Sequence, residues 1–169
     1  TSMAMAMAGT FGLPFHYINA TTDGKKDMEK ALKDATPESP VIVFIDEAHR
    51  FNTAQQDYLL PFTESGASIT IMASTENPYH QIIPGLRSRM RILELKKLSD
   101  EHIKTGVLRA IYDKERGLGN MNVKITDEAL SYVGRMANGD LRIALNAVEM
   151  AARSSDANDA GEIVIGLDV

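Results

Sequence analysis

Asp46 and Glu47 stand directly behind Val41 to Ile45, an unbroken apolar run with the length and β-branched content of a strand buried on both faces. Carboxylates placed there point out of the core. In an open parallel sheet ligands gather outside the carboxyl ends of the strands, so residues just past such an end face a site. Successive side chains diverge at a strand end, which suits two adjacent acids to two tasks: holding a hard cation and polarising a water. The plainer alternative is that the pair opens a solvated loop or the first turn of a helix, where the dipole favours negative charge. The pattern alone fits both equally.

An apolar strand followed by Asp-Glu matches the Walker B element of P-loop nucleotidases, in which the Asp holds Mg²⁺, usually through water, and the Glu orients the attacking water. Its companion element is Gly-x-x-x-x-Gly-Lys-[Ser/Thr] running into a helix. This sequence opens on Thr1 and Ser2 and enters a helical stretch at once, with no glycine loop or lysine ahead of them. The expectation is a chain that begins inside the motif, with Thr1 as a Mg²⁺ ligand and Ser2 beside it at the nucleotide. Helix capping is the plainer account of the same two residues. Without the loop N–H groups and the lysine charge, the chain alone is expected to bind ATP poorly and to show no meaningful turnover.

Ser74, Thr75 and Asn77 follow another apolar run, and turn formation before Pro78 accounts for them as well as chemistry does. "LRSRMR", residues 86–91, is the densest basic stretch. If it were a strand, Arg87, Arg89 and Arg91 would share one face. His16, His49, His80 and His102 have no metal-ligand spacing, and His49, which closes "DEAH", reads as a local hydrogen-bonding residue rather than a base.

Around these residues the pattern alternates strand and helix. A helix from the start ends near Gly9, and residues 13–19 form a strand. Thr21, Thr22 or Asp23 caps a helix whose Met28, Leu32 and Ala35 share a face, closed by Pro37 and Pro40. After the strand at 41–45, "NTAQQDYLL" is helical, capped by Asn52 or Thr53, with Pro61 marking its end or a kink. Residues 69–74 and 91–95 read as strands, and "ENPYHQIIPG" as a loop or a broken helix around its prolines. Such alternation implies a parallel sheet covered on both faces.

Beyond residue 98 the pattern is purely helical. Ser99 caps a helix with Ile103, Val107 and Ile111 on one face, closed by Lys114, Arg116 and Gly117. A second helix runs from Thr126 to Asn138-Gly139. A third starts at Asp140 with Leu141, Leu145 and Val148 as its stripe, and the tail is a polar loop followed by a short apolar run.

With 169 residues and 44% hydrophobic content the chain holds a real core. It has no cysteine, which excludes disulfides and thiolate metal sites and fits a reducing compartment. Eighteen basic against 23 acidic residues give a net charge of -5, so no general nucleic-acid surface is advertised. No apolar run approaches the roughly 20 residues of a membrane span, and the start lacks the basic flank of a signal peptide, so a soluble cytoplasmic protein is expected, with no membrane partner.

Taken together and in order, "FIDEAHRFN", "QQDYLLPFTESG", "IMASTENP", "LRSRM" and "NGDLRIALN" resemble the AAA+ ATPases of the clamp-loader group, and most closely the replication-associated recombination protein A family, over residues 1–165. The resemblance implies an α/β fold: a P-loop NTPase-type parallel sheet sandwiched by helices over 1–97, a small all-α lid over 98–155, and a linker over 156–169 toward a further domain. It makes Asp46 and Glu47 Walker B. Thr75 becomes sensor 1, between the γ-phosphate and the water, with Asn77 as a second candidate for that task. Arg89 of Ser88-Arg89 resembles the arginine that reaches a neighbouring subunit's ATP, although Met90 departs from the family's cysteine. Arg142, rotated off the apolar stripe, resembles sensor 2.

The function so implied is Mg²⁺-ATP hydrolysis in a replication-fork and recombination protein, a homo-oligomer acting on DNA junctions or ends beside the nucleoid, with single-stranded-DNA-binding protein as a further partner. Two other classes compete. "DEAH" and "AST" resemble a DEAH-box helicase, which needs a second motor domain, and the chain without its phosphate loop suits a non-enzymatic assembly module.

Overall fold

The computed structural model describes residues 2–167. Two compact units, Thr1–Leu93 and Glu94–Val169, divide the chain.

In the first unit α1 (Ser2–Phe11) leads into β1 (Phe15–Asn19), α2 (Lys25–Leu32) connects it to β2 (Val41–Asp46), and α3 (Thr53–Ser65) connects β2 to β3 (Ser68–Met72). All pairs are parallel, in the order β1-β2-β3. Parallel neighbours need crossovers, and the two helices supply them. Every residue from Val41 to Ile45 is buried, which is why this strand shows no polar alternation. Val41, Val43 and Ile45 pack with Ile18, Leu32 and Leu59 on one face. Ile42 and Phe44 face the other way, where the Phe44 ring stacks with Phe15 and Tyr17 at centroid distances of 6.4 and 5.9 Å. Burying five such side chains, each contributing about 1.5–3 kcal/mol, fixes β2 as the rigid centre of the unit.

Several local expectations are corrected. The cap of α2 is Gly24, not Thr21, Thr22 or Asp23, because Asn19 takes those residues into a turn: its carbonyl accepts from the Thr22 and Asp23 N–H groups at 3.0 and 2.8 Å. α1 continues past Gly9 to Phe11, where Gly12 at φ 64° ends it. Pro61 does not end α3, which runs on to Ser65 and stops at Gly66, φ 79°. Buried Leu59 holds the helix through the missing proline N–H.

Residues 91–95 form no strand. They lack a ladder partner among the described residues, and apolar content alone cannot replace one: Ile92, Leu93 and Leu95 lie exposed. The prolines at 78 and 84 start two short helices, α4 (Pro78–Gln81) and α5 (Pro84–Arg87), as expected of a broken helix.

The second unit holds α6 (Asp100–Tyr112), β4 (Val123–Ile125), α7 (Asp127–Met136), α8 (Leu141–Ser154) and β5 (Ile163–Ile165). Ser99, Thr126 and Asp140 cap the three helices as predicted. α6 closes at Tyr112 rather than at Lys114, Arg116 or Gly117. The Asp113 carboxylate turns the chain by accepting the Glu115 and Arg116 N–H groups, both at 2.9 Å. Those bonds, the Arg116 one first, hold its carboxyl below the usual carboxylate range. The turn is therefore firm above the ordinary carboxylate pKa and loosens as pH falls through the lowered one.

The stripe buried on α8 is Ala144, Val148 and Ala152, with Leu141 only partly buried. Small residues let α8 approach its neighbours closely. The unit is not all-helical: β4 and β5 pair in parallel, Val123 with Ile163 and Ile125 with Ile165, so the stretch read as a linker closes this core with Ile165.

Asn138 and Gly139, at φ 49° and 84°, make the turn between α7 and α8. A Cβ on Gly139 would sit 2.7 Å from the Lys97 Cβ and 3.0 Å from the Leu98 carbonyl oxygen. Strain and crowding act together there. Gly139→Ala is expected to destabilise the second unit by about 1–3 kcal/mol, seen as a lower denaturant midpoint.

Candidate functional site

The carboxyl edge of the first unit's sheet gathers the polar residues. Asp46 is the last residue of β2, in register with Asn19 at the end of β1. Its carboxylate accepts the Tyr17 hydroxyl at 3.2 Å and the Glu47 N–H at 3.1 Å. Glu47 then turns the chain in the left-handed region, φ 52° and ψ 39°. For a residue with a Cβ this conformation costs on the order of 1–3 kcal/mol and persists only where its surroundings impose it. Here they do: the Ala73 N–H bonds the Ile45 carbonyl at 2.8 Å and the Ala48 N–H bonds the Ala73 carbonyl at 2.9 Å, clamping the chain on both sides of Glu47. The two carboxylates meet different neighbours, Asp46 the Tyr17 hydroxyl and Glu47 the imidazole of His49.

The field at this edge is negative. The Tyr17 hydroxyl is pushed above its ordinary pKa, first by partial burial, then by its hydrogen bond to Asp46 and by the charges of Asp46, Asp23 and Glu47. Asp23 is held there by the Asn19 N–H at 2.8 Å and the Thr22 hydroxyl at 3.0 Å. No cluster of three or more His, Cys, Asp or Glu groups fit to hold a metal ion occurs among the described residues. A protein cage is not what Mg²⁺ asks for, since it keeps its waters and takes one or two carboxylates plus phosphate oxygens. The hard oxygen of Asp46 in this field fits that demand. Thr1, the other expected ligand, lies outside the described residues; Ser2 is exposed at the start of α1.

Ser74 and Thr75 leave β3 alongside. Thr75 is exposed in the bend just past the strand, and its hydroxyl has no hydrogen bond among the described residues. Asn77 caps α4, its side-chain oxygen accepting the Tyr79 N–H at 2.9 Å, so that oxygen is already engaged. His49 Nδ1 lies 3.2 Å from the Ser74 hydroxyl and 3.4 Å from a Glu47 carboxylate oxygen. Tyr17 and Asp23 were missed as site residues in the sequence, and Ser74 was noted there without a role. Tyr17 had a weak signal, standing two positions before Asn19 and hence on the same strand face.

The basic residues sit elsewhere in the unit, and not on a strand. Arg87 ends α5 and Arg89 lies in the turn after it, so the shared strand face expected for Arg87, Arg89 and Arg91 does not exist. Helix-starting Pro84 sets this geometry. Arg87 is used up locally, donating to the Tyr79 carbonyl at 2.6 Å and stacking over the Tyr79 ring. Arg89 pairs with Glu64 of α3 at 2.6 Å and donates to the Gly85 carbonyl and the Ser88 hydroxyl.

The whole arginine turn is hung from Gln56. That side chain, 2% exposed, donates to the Phe51 and Gln81 carbonyls at 3.1 and 2.9 Å and accepts the Ile83 N–H at 2.9 Å. Gln56→Leu leaves all three backbone groups without this partner. A loss of about 1–3 kcal/mol is expected, seen as a lower melting temperature.

Arg142 belongs to the second unit, where it is exposed on the first turn of α8 and its N–H is capped by Asp140 at 2.8 Å.

Comparison with known proteins agrees with this architecture. The model of the ATPase family associated with various cellular activities (AAA) matches residues 1–98, and that of the AAA C-terminal domain matches residues 119–169. Replication-associated recombination protein A of Bacillus subtilis is 44% identical over 99% of this chain and 40% of its own length. The Escherichia coli protein of the same name is 37% identical over 98% of this chain and 38% of its own length. This chain thus spans about two fifths of those relatives. Among solved structures, the Thermotoga maritima RuvB Holliday junction branch migration motor superposes with a TM-score of 0.75 at 22% identity, covering 98% of this chain and 54% of that one. That likeness speaks for the fold alone.

Proposed function

The chain belongs to the AAA family of ATPases, and from that premise we propose that it is the Mg²⁺-ATP-hydrolysing module of a protein that maintains replication forks and acts on DNA in recombination. The observation that carries the chemistry is the carboxyl edge itself, where the strained turn at Glu47 separates two adjacent acids beside Ser74 and Thr75. The relatives' shared name supports the DNA part.

In this reading Asp46 holds Mg²⁺, whose charge, when bound, offsets that of the phosphates. Thr1 and Ser2 stand at the nucleotide, Thr1 with Asp46 at the metal. Glu47 orients the attacking water and draws its proton. Thr75 fixes that water against the terminal phosphate, and Asn77, already capping α4, is the lesser candidate for the task. Arg142 is assigned the sensing of the nucleotide. Arg89 completes the site of a neighbouring copy, which makes the working form a homo-oligomer. The site of action is the cytoplasm, at DNA junctions or ends. No helix among the described residues is long and apolar enough to cross a membrane.

The test is ATP hydrolysis by the full-length protein with Mg²⁺, with chelator, and with junction DNA. The expected result is hydrolysis that needs Mg²⁺ and rises with DNA. A full-length protein that hydrolyses no ATP under any of these conditions overturns the proposal. The DEAH-box alternative draws no support from the AAA match over residues 1–98.

A further inference from the structure

His49 has no role in the hydrolysis just proposed, yet its side chain lies between the loops that follow the two strands carrying it. It lies on the 3₁₀ turn Ala48–Arg50, directly after Glu47, and its side chain is only 11% exposed. Its Nδ1 faces the Glu47 carboxylate at 3.4 Å and the Ser74 hydroxyl at 3.2 Å. A carboxylate can only accept, so contact with Glu47 calls for the tautomer that carries its hydrogen on Nδ1. Ser74 is itself fixed, accepting the Glu76 N–H at 3.0 Å and lying within 3.3 Å of the Glu76 carbonyl. The next residue is Thr75. A single imidazole thus ties the carboxylate that follows β2 to the loop that follows β3.

We infer that His49 is a positioning residue for hydrolysis: it sets the direction of the Glu47 carboxylate and couples it to the Ser74-Thr75 loop. The inference rests on the reading of Glu47 as the water-activating group. The backbone at Glu47 is already clamped, but the carboxylate lies beyond freely rotating side-chain bonds and is 41% exposed on its side chain. In this inference the contact with Nδ1 at 3.4 Å restricts those rotations. A group that orients another acts on turnover rather than on nucleotide affinity.

The experiment compares His49→Ala, His49→Gln and His49→Asn with Glu47→Gln in the full-length protein, measuring kcat, KM for ATP and melting temperature. An asparagine amide nitrogen falls near the place of Nδ1, whereas that of glutamine falls near Nε2. His49→Ala and His49→Gln are expected to lower kcat about 10-fold with KM unchanged, and His49→Asn to recover most of the loss. Ser74→Ala is expected to lower kcat in the same direction and to be non-additive with His49→Ala.

The inference falls if His49→Ala keeps kcat within twofold while Glu47→Gln is inactive; the proposed function then stands. It falls equally if Asn and Gln behave alike, since a packing role makes no distinction between the two nitrogens, or if the losses at Ser74 and His49 simply add. Full turnover by Glu47→Gln instead removes the reading of the site itself, and this inference with it.

Discussion

Arg89→Ala in the full-length protein is expected to lower ATP turnover by about 10³-fold or more, the usual worth of an arginine that stabilises charge on a transferring phosphoryl group. The size follows from the group. A guanidinium is planar, permanently charged and bidentate, and no water or lysine reproduces that fork at the terminal phosphate. Its resting contacts suit the task. Glu64, the Gly85 carbonyl and the Ser88 hydroxyl orient Arg89 on an exposed turn. Exposed ion pairs of this kind contribute about 0–1 kcal/mol, so the arginine is aimed without being captured. If the finger serves a neighbour as proposed, Arg89→Ala subunits mixed with Glu47→Gln subunits should recover activity: the first brings an intact Glu47, the second an intact Arg89. No recovery in the mixture, with each variant shown to assemble, would rule out action in trans.

Glu47→Gln is expected to cost about 10²- to 10⁴-fold in kcat, the range for removing a positioned general base. The exchange keeps shape and length and removes only the capacity to draw a proton from water. Nucleotide binding should persist, since Glu47 lies past the strand end and the metal is assigned to Asp46. Single-turnover hydrolysis together with titration of a fluorescent nucleotide separates the two effects. Hydrolysis at the parental rate would show that the water is activated by some other group.

Much of both units could be read locally. Val41 to Ile45 announce a doubly buried strand by an apolar run alone, and Ser99, Thr126 and Asp140 announce helix starts by a single side chain each, bonded two or three residues on. What was hidden depends on partners far along the chain. β4 and β5 have three residues apiece, too few for a period of two to appear, and they meet across the whole of α7 and α8. Arg91 to Leu95 failed for the opposite reason: the apolar content is visible but no ladder partner stands beside it among the described residues.

The carboxylates Asp46 and Glu47 were legible because position at a strand end is a property of adjacent residues. Their surroundings were not. The contact of His49 with Ser74 spans 25 positions, and the bond of Tyr17 to Asp46 spans 29. Only folding of the parallel sheet brings those residues together. The backbone of Arg87 to Arg91 was hidden for a similar reason, since a turn after a proline-started helix and a strand edge carry the same alternating arginines.

The pairing of β4 with β5 also orders events during synthesis. The three strands of the first unit have all left the ribosome once residue 72 is clear of the exit tunnel, so that sheet can assemble while translation continues. The second unit must wait, because its buried Ile165 comes from β5, the later of the paired strands β4 and β5. Until then α6, α7 and α8 expose the apolar surface that this strand helps to cover, and a nascent chain halted between residues 155 and 163 is the species that chaperones or proteases would be expected to meet.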